Sequence, residues 1–316
     1  MAATPTIRRR LLPLVALAIV AALAFGACKE DPVDPGQASL DGLLLLTGDL
    51  RASTTLVTCV GSPCRMAAVE TPKGTTWIAA GDGGQLAATL VDQTLRTSDA
   101  LHPGGKQSWR KADLVDAEGA PVDGPFLFPS WDPGGVRYAV LAGAPDEDPR
   151  LVVADPETGT AAEHLLDPPV VPAPPAWLGD DRILVITGTD DALTSSVVDA
   201  TSGDASAGPA GARLVATSAD GLTVAVAGPG RDPVTVRATA DWLSGGGSTV
   251  ARIDPPDGAV AVTSLALDAD GSRLAVAWLT DGGSVRVLAY EHAHDWREVD
   301  VTGANQPPAA VVAWSR

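Results

Sequence analysis

From Leu40 onward the apolar residues fall into short runs, each introduced by a tight-turn signature. The clearest copy is Ser130-Trp131-Asp132-Pro133-Gly134-Gly135, followed by Val136 to Leu141. Five other stretches align with it on the turn residue, giving Gly42, Gly84, Gly135, Asp181, Gly221 and Gly271 at spacings of 42, 51, 46, 40 and 50 residues. After each turn comes a run in which most positions are apolar: Leu43 to Thr47, Gln85 to Leu90, Val136 to Leu141, Arg182 to Ile186, Leu222 to Val226 and Ser272 to Trp278. Runs this short, apolar on both faces, predict strands covered by neighbouring layers on either side. Gly or Asp at the turn suits a backbone that must visit positive φ.

A second strand precedes five of the six turns and ends in Trp131, Trp177 or Leu267, with Ala80 and Thr217 in the same place. A third strand and its hairpin recur in register, as Val152 to Gly159 and Val197 to Gly203, both built on Asp-x-x-Thr/Ser-Gly. Repeats of this length and strand content predict one four-stranded propeller blade each. The first repeat lacks the strand ahead of its turn, while Pro307 to Arg316 reads as such a strand, with Trp314 in the place of Trp131 and Trp177. The expected fold is therefore all-β: a six-bladed β-propeller over residues 40–316, closed by pairing of its N- and C-terminal strands so that no sheet edge is left open between them.

These repeats resemble those of six-bladed, WD40-like propellers of the TolB type, which run Pro-x-Trp-Ser-Pro-Asp-Gly ahead of an apolar strand. The nearest copies are Pro129-Ser130-Trp131-Asp132-Pro133-Gly134-Gly135 and Leu267-Asp268-Ala269-Asp270-Gly271. TolB itself carries an α/β domain before its propeller, and nothing in this chain corresponds to it. The resemblance therefore implies the fold and not TolB's partner.

The chain before the repeats has a different character. Arg8-Arg9-Arg10 precede an apolar run from Leu11 to Phe25, and Gly26-Ala27-Cys28 follow. Fifteen helical residues rise about 22 Å, short of the roughly 30 Å of a hydrocarbon core, so the run reads as an export signal over residues 1–27 rather than a span. With Cys28 it resembles the lipobox of bacterial lipoproteins, which implies a signal peptide removed at Cys28 and a lipid on its sulfur. An ordinary secretory signal with a chance Cys is the alternative. Arg8-Arg9-Arg10-Leu11-Leu12 also resembles the twin-arginine export signal. Residues 28–39, rich in charge, Pro and Gly, are expected to form a disordered tether.

Composition adds the sign of the surface. The 316-residue chain has a net charge of −17, and loss of the three arginines with the signal takes it to −20. Such a surface repels phosphate backbones, so nucleic acid is not an expected partner. Gly (33) and Pro (26) suit many short strands joined by turns.

Candidate chemistry is sparse. Cys59 and Cys64, in Cys-Val-Gly-Ser-Pro-Cys, can fold back as a hairpin tip and form a disulfide in an exported protein, a metal pair being the alternative. His292 and His294 would face one way on a strand and could share a metal, or they sit in a polar hairpin. His102 and His164 read as surface residues. Asp268-Ala269-Asp270-Gly271 has the opening of a calcium loop, yet it coincides with a repeat turn and no bidentate Glu follows. Leu243 to Ser248 reads as a flexible hairpin and Asp167 to Pro175 as an extended connection. No nucleophile elbow occurs. No catalytic or cofactor-binding residue is assigned, and none of these residues is assigned as a metal ligand.

The function expected from these readings is a lipid-anchored propeller of the cell envelope, periplasmic or on the outer face of a bacterial membrane. It would bind or scaffold an envelope protein without catalysis. The alternative is a calcium- or quinone-dependent propeller enzyme, a lactonase or sugar dehydrogenase, with Asp82, Asp132, Asp220 and Asp268 as its acidic groups. In the first reading those residues cap turns through local hydrogen bonds.

Overall fold

The six apolar runs become the second strands of six antiparallel four-stranded sheets. The computed structural model describes residues 40–49, 53–61, 65–143, 149–167, 169–189, 192–292, 294–298 and 308–314. The expected signal segment, Cys28, the expected tether and Cys64 lie outside them. The first blade begins with β1 (Leu43–Asp49), β2 (Ser53–Val60) and β3 (Arg65–Val69), and the second holds β4 (Thr75–Ala80), β5 (Leu86–Leu90), β6 (Leu95–Ser98) and β7 (Arg110–Lys111). The third comprises β8 (Phe126–Trp131), β9 (Tyr138–Ala142), β10 (Arg150–Ala154) and β11 (Ala161–His164), and the fourth β12 (Ala176–Trp177), β13 (Arg182–Thr189), β14 (Ala192–Asp199) and β15 (Ala205–Ala207). The fifth has β16 (Leu214–Thr217), β17 (Thr223–Ala227), β18 (Val234–Ala238), the one-turn helix α1 (Thr239–Leu243) and β19 (Thr249–Ile253). The sixth is β20 (Ala259–Leu267), β21 (Arg273–Thr280), β22 (Val285–Glu291) and β23 (His294–Glu298).

The last strand, β24 (Pro308–Trp314), does not start a seventh blade. It pairs antiparallel with β1, Trp314 opposite Leu43 and Val311 opposite Leu46, and supplies the innermost strand of the first blade. The expected closure by the two chain ends is the observed one. All six inner strands then end on the aligned residues: Ala80, Trp131, Trp177, Thr217, Leu267 and Trp314.

Burial explains the pattern of the sequence. β5 and β9 are buried along their whole length and β13 and β21 at most positions, because each lies between two neighbouring sheets. Outer strands such as β15 and β19 carry mostly exposed side chains. The core is consequently a ring of blade-to-blade contacts. Ala139, Leu141 and Leu151 of the third blade pack with Trp177, Ile183 and Val185 of the fourth, and Leu43 and Leu45 of the first with Ala275 and Ala277 of the sixth.

A side-chain latch fastens two of these contacts on the face that carries the turns between first and second strands. The Asp132 carboxylate accepts the N–H groups of Val136 (2.8 Å) and Arg137 (3.1 Å) and lies 3.6 Å from the Arg137 guanidinium. That guanidinium stacks over Trp177 of the next blade, 5.4 Å from its centroid, and donates to the Asp180 carbonyl. Trp177 in turn donates its Nε1–H to the Ser130 carbonyl at 3.0 Å. The same device recurs where the ring closes. Asp268 accepts from Arg273 at 2.9 and 2.6 Å, Arg273 stacks over Trp314 at 4.6 Å, and Trp314 donates to the Ala266 carbonyl at 3.1 Å. Both carboxylates are buried, which is tolerable only because each is paired and hydrogen-bonded.

One expectation from the sequence is overturned here. His164, expected at the surface, is buried at 8% exposure, its Nε2 3.4 Å from the Ala200 carbonyl. It fits because Gly203 of the fourth blade has no side chain: a Cβ there would stand 2.4 Å from the imidazole Nδ1. The segment Leu243 to Ser248, read as a hairpin, runs from the last residue of α1 through turn and coil, and Trp242 of α1 is buried in the core against the fourth-to-sixth blades.

Candidate functional site

Three places could carry function: the channel, the ring of turns and a groove between blades. The channel is lined by pieces of all six inner strands and encloses about 100 Å³, room for a few waters. Its lining is Ala, Val, Leu, Ile, Pro, Trp, Ser and Thr, with no ionisable side chain.

The turn face bears the acidic residues that the enzyme reading would need. Asp132 and Asp268 are held in the latches. Asp220 accepts from Ser218 Oγ at 2.6 Å and from the Leu222 N–H at 2.9 Å, closing its own turn. Asp270 accepts from the Ser272 N–H at 3.0 Å, and hydrogen bonding from Ser272 holds its carboxyl below the usual range. These carboxylates do the turn-capping work expected of them. The side chain of Asp82 lies outside the description. Turn contacts also pass from blade to blade, as when the Ala219 N–H donates to the Ala269 carbonyl at 2.9 Å. Gly221 packs so closely on the fourth-blade turn that a Cβ would sit 2.7 Å from the Gly179 nitrogen.

A larger cavity than the channel lies elsewhere, on the opposite face between the second and third blades, with a volume of about 600 Å³. One wall is the turn between β5 and β6, Asp92 to Leu95; the other is the long connection between β7 and β8, which reaches Phe126. That connection is unusually ordered for its length. Asp116 Oδ1 accepts from Glu118 and Ala120, and Val115 forms a single parallel bridge with Thr160 beside the third blade. The floor is apolar, with Leu95, Leu114, Val122 and Phe126 nearly buried. Asp92, Asp113 and Asp123 line the cavity, with Lys111 paired to Asp113 at 3.1 Å. Hydrogen bonds from Thr94 hold the Asp92 carboxyl below its ordinary range, so it stays ionised to lower pH than a free aspartate. No sequence motif marks this groove, because its walls are separate segments brought together by blade packing.

The remaining sequence candidates are scattered. His292 stands in the turn between β22 and β23 and is exposed, while His294 opens β23 opposite Glu291, so the two do not share a strand as the metal reading required. Among the described residues no three His, Cys, Asp or Glu side chains converge as a metal site. Cys59 is buried near the end of β2, and its proposed partner Cys64 lies outside the described residues. If the pair is oxidised, unreduced protein will take up no thiol reagent at either position and its mass will be lower by two hydrogens. Full labelling before reduction would sink the disulfide.

No family model matches this chain. No curated protein matches it either. Solved structures do. TolB from Acinetobacter baumannii superposes with a TM-score of 0.63 at 14% identity, covering 96% of this chain and 71% of that one. A second TolB-type structure, from Agrobacterium tumefaciens, gives 0.54 at 14% identity, covering 78% of this chain and 87% of the other. A propeller in a nidogen/laminin complex gives 0.56 at 12% identity, covering 87% and 99%. At such identities the likeness concerns the fold, and the fold is the six-bladed, TolB-like β-propeller.

Proposed function

We propose that this chain is a lipid-anchored propeller of the bacterial cell envelope that serves as a non-catalytic protein-binding or scaffold module. One observation carries the reading: the channel is narrow and lacks ionisable groups, so recognition falls to the two loop-built faces. The acidic surface favours partners with basic patches and opposes nucleic acid. The order of basic residues, apolar run and Gly26-Ala27-Cys28 supports export and a lipid on Cys28.

Replacement Cys28→Ser is expected to move the protein from the membrane to the soluble fraction of broken cells. A variant that stays membrane-bound and unprocessed would make the apolar run the anchor instead. Crosslinking of the native chain in its envelope should recover one protein in fixed proportion. Recovery of lipid alone would overturn the binding reading.

A further inference from the structure

We propose that the groove between the second and third blades is a docking site for an extended peptide segment bearing basic side chains around an apolar anchor. The inference rests on the protein-binding reading above and gives it a place and a chemistry. Its volume of about 600 Å³ suits a few residues of extended chain. Above the buried Leu95, Leu114, Val122 and Phe126, the partly or fully exposed lining residues Ala112, Val115, Pro121 and Pro125 offer an apolar side chain a surface to cover. Three carboxylates line the walls against one ammonium, and that ammonium is already paired with Asp113. A cationic segment therefore gains attraction that an acidic one would lose.

Part of the backbone bordering the groove is already paired. The Gln93 carbonyl already accepts the Phe126 N–H at 2.9 Å, and the Leu95 carbonyl accepts the Ala112 N–H at 3.0 Å. At the outer edge of the third blade, Gly159 and Ala161 are already bonded to Val115. The peptide is read chiefly by its side chains: aliphatic or aromatic ones on the floor, guanidinium or ammonium groups on the walls. Both walls are set by internal hydrogen bonds, so little ordering is needed on binding.

The test uses the full chain, purified in detergent, and two fluorescent hexapeptides, Lys-Arg-Leu-Phe-Arg-Lys and Glu-Asp-Leu-Phe-Asp-Glu, the first also made with a photoreactive phenylalanine analogue. The basic peptide should bind, should weaken with added salt, and should crosslink within residues 92–95 or 111–126. The acidic peptide should not bind. The double variant Asp113→Asn/Asp123→Asn alters two exposed side chains and should raise the Kd about tenfold. Asp281→Asn, an equally exposed aspartate on the sixth blade, should leave it unchanged, and matching unfolding midpoints would show that all variants fold. Equal Kd values in the double variant, crosslinks elsewhere, or no binding would overturn the groove. Equally tight binding of a Lys-Arg-Ser-Ser-Arg-Lys peptide would also overturn it, because the apolar floor would then play no part. None of these failures removes envelope crosslinking to a protein, which tests the parent reading separately.

Discussion

A chain shortened to end at residue 307 is expected to lose its single cooperative unfolding transition. The lost segment, β24, is the inner strand of the first blade and the only partner of β1 on that side. Its removal strips the backbone pairing from Leu43 to Leu46, all buried side chains, and opens a flat apolar edge. It also removes Trp314, the platform on which Arg273 stacks, and Val312, whose N–H donates to Ser264 Oγ at 3.1 Å. Those contacts join the sixth blade to the first, so their loss breaks the ring and not one sheet alone. Domains of this kind hold only about 5–15 kcal/mol in total, less than the loss of such a strand can cost. Urea unfolding followed by circular dichroism checks the expectation. A truncated chain that kept one transition at the wild-type midpoint would show that the first blade stands without its fourth strand.

The second large effect is expected from Trp177→Ala. The indole is 1% exposed and packs between the third and fourth blades. Its Nε1–H satisfies the Ser130 carbonyl, its face carries the Arg137 guanidinium, and its own carbonyl accepts Thr217 Oγ1 at 2.6 Å from the fifth blade. Truncation leaves a cavity and an unpaired carbonyl, and costs about 3–5 kcal/mol by analogy with other buried aromatic residues. Trp177→Phe should recover most of the packing but not the hydrogen bond, and fall between the two. A midpoint for Trp177→Ala within error of the parent would mean that the latch contributes nothing to stability.

These two predictions use the features that the sequence displayed most openly. Turn residues and the tryptophans before them are legible because each repeat must solve one local problem: reverse the chain in a few residues, then enter a strand buried on both faces. Local problems leave local signatures. Closure was legible for a related reason, since a repeat missing its first strand and a final strand missing its turn complete each other. His164 was not legible. Its burial depends on Gly203, a residue of another blade, and on the register that turns its ring inward. Trp242 escaped because the surrounding Ser and Gly residues resemble a flexible loop, whereas the indole pins one helical turn to the core. The groove is further still from local pattern. Asp92, Asp113 and Asp123 read singly as ordinary loop aspartates, and only the packing of β6 against the long connection after β7 makes them walls of one cavity.

The pairing of β24 with β1 also sets an order in time. Contacts that close the ring join residues as distant as Leu43 and Trp314, 314 − 43 = 271 positions apart. Contacts of that range form slowly, because a long loop must close before any of them is rewarded. Since synthesis runs from the first blade to the last, five complete blades can assemble while the first still waits for its inner strand. During that interval Leu43 to Leu46, paired with β2 on one side only, present an open edge to wrong partners. A factor that shields it until Pro308–Trp314 arrives would govern the yield of folded protein without touching the finished fold.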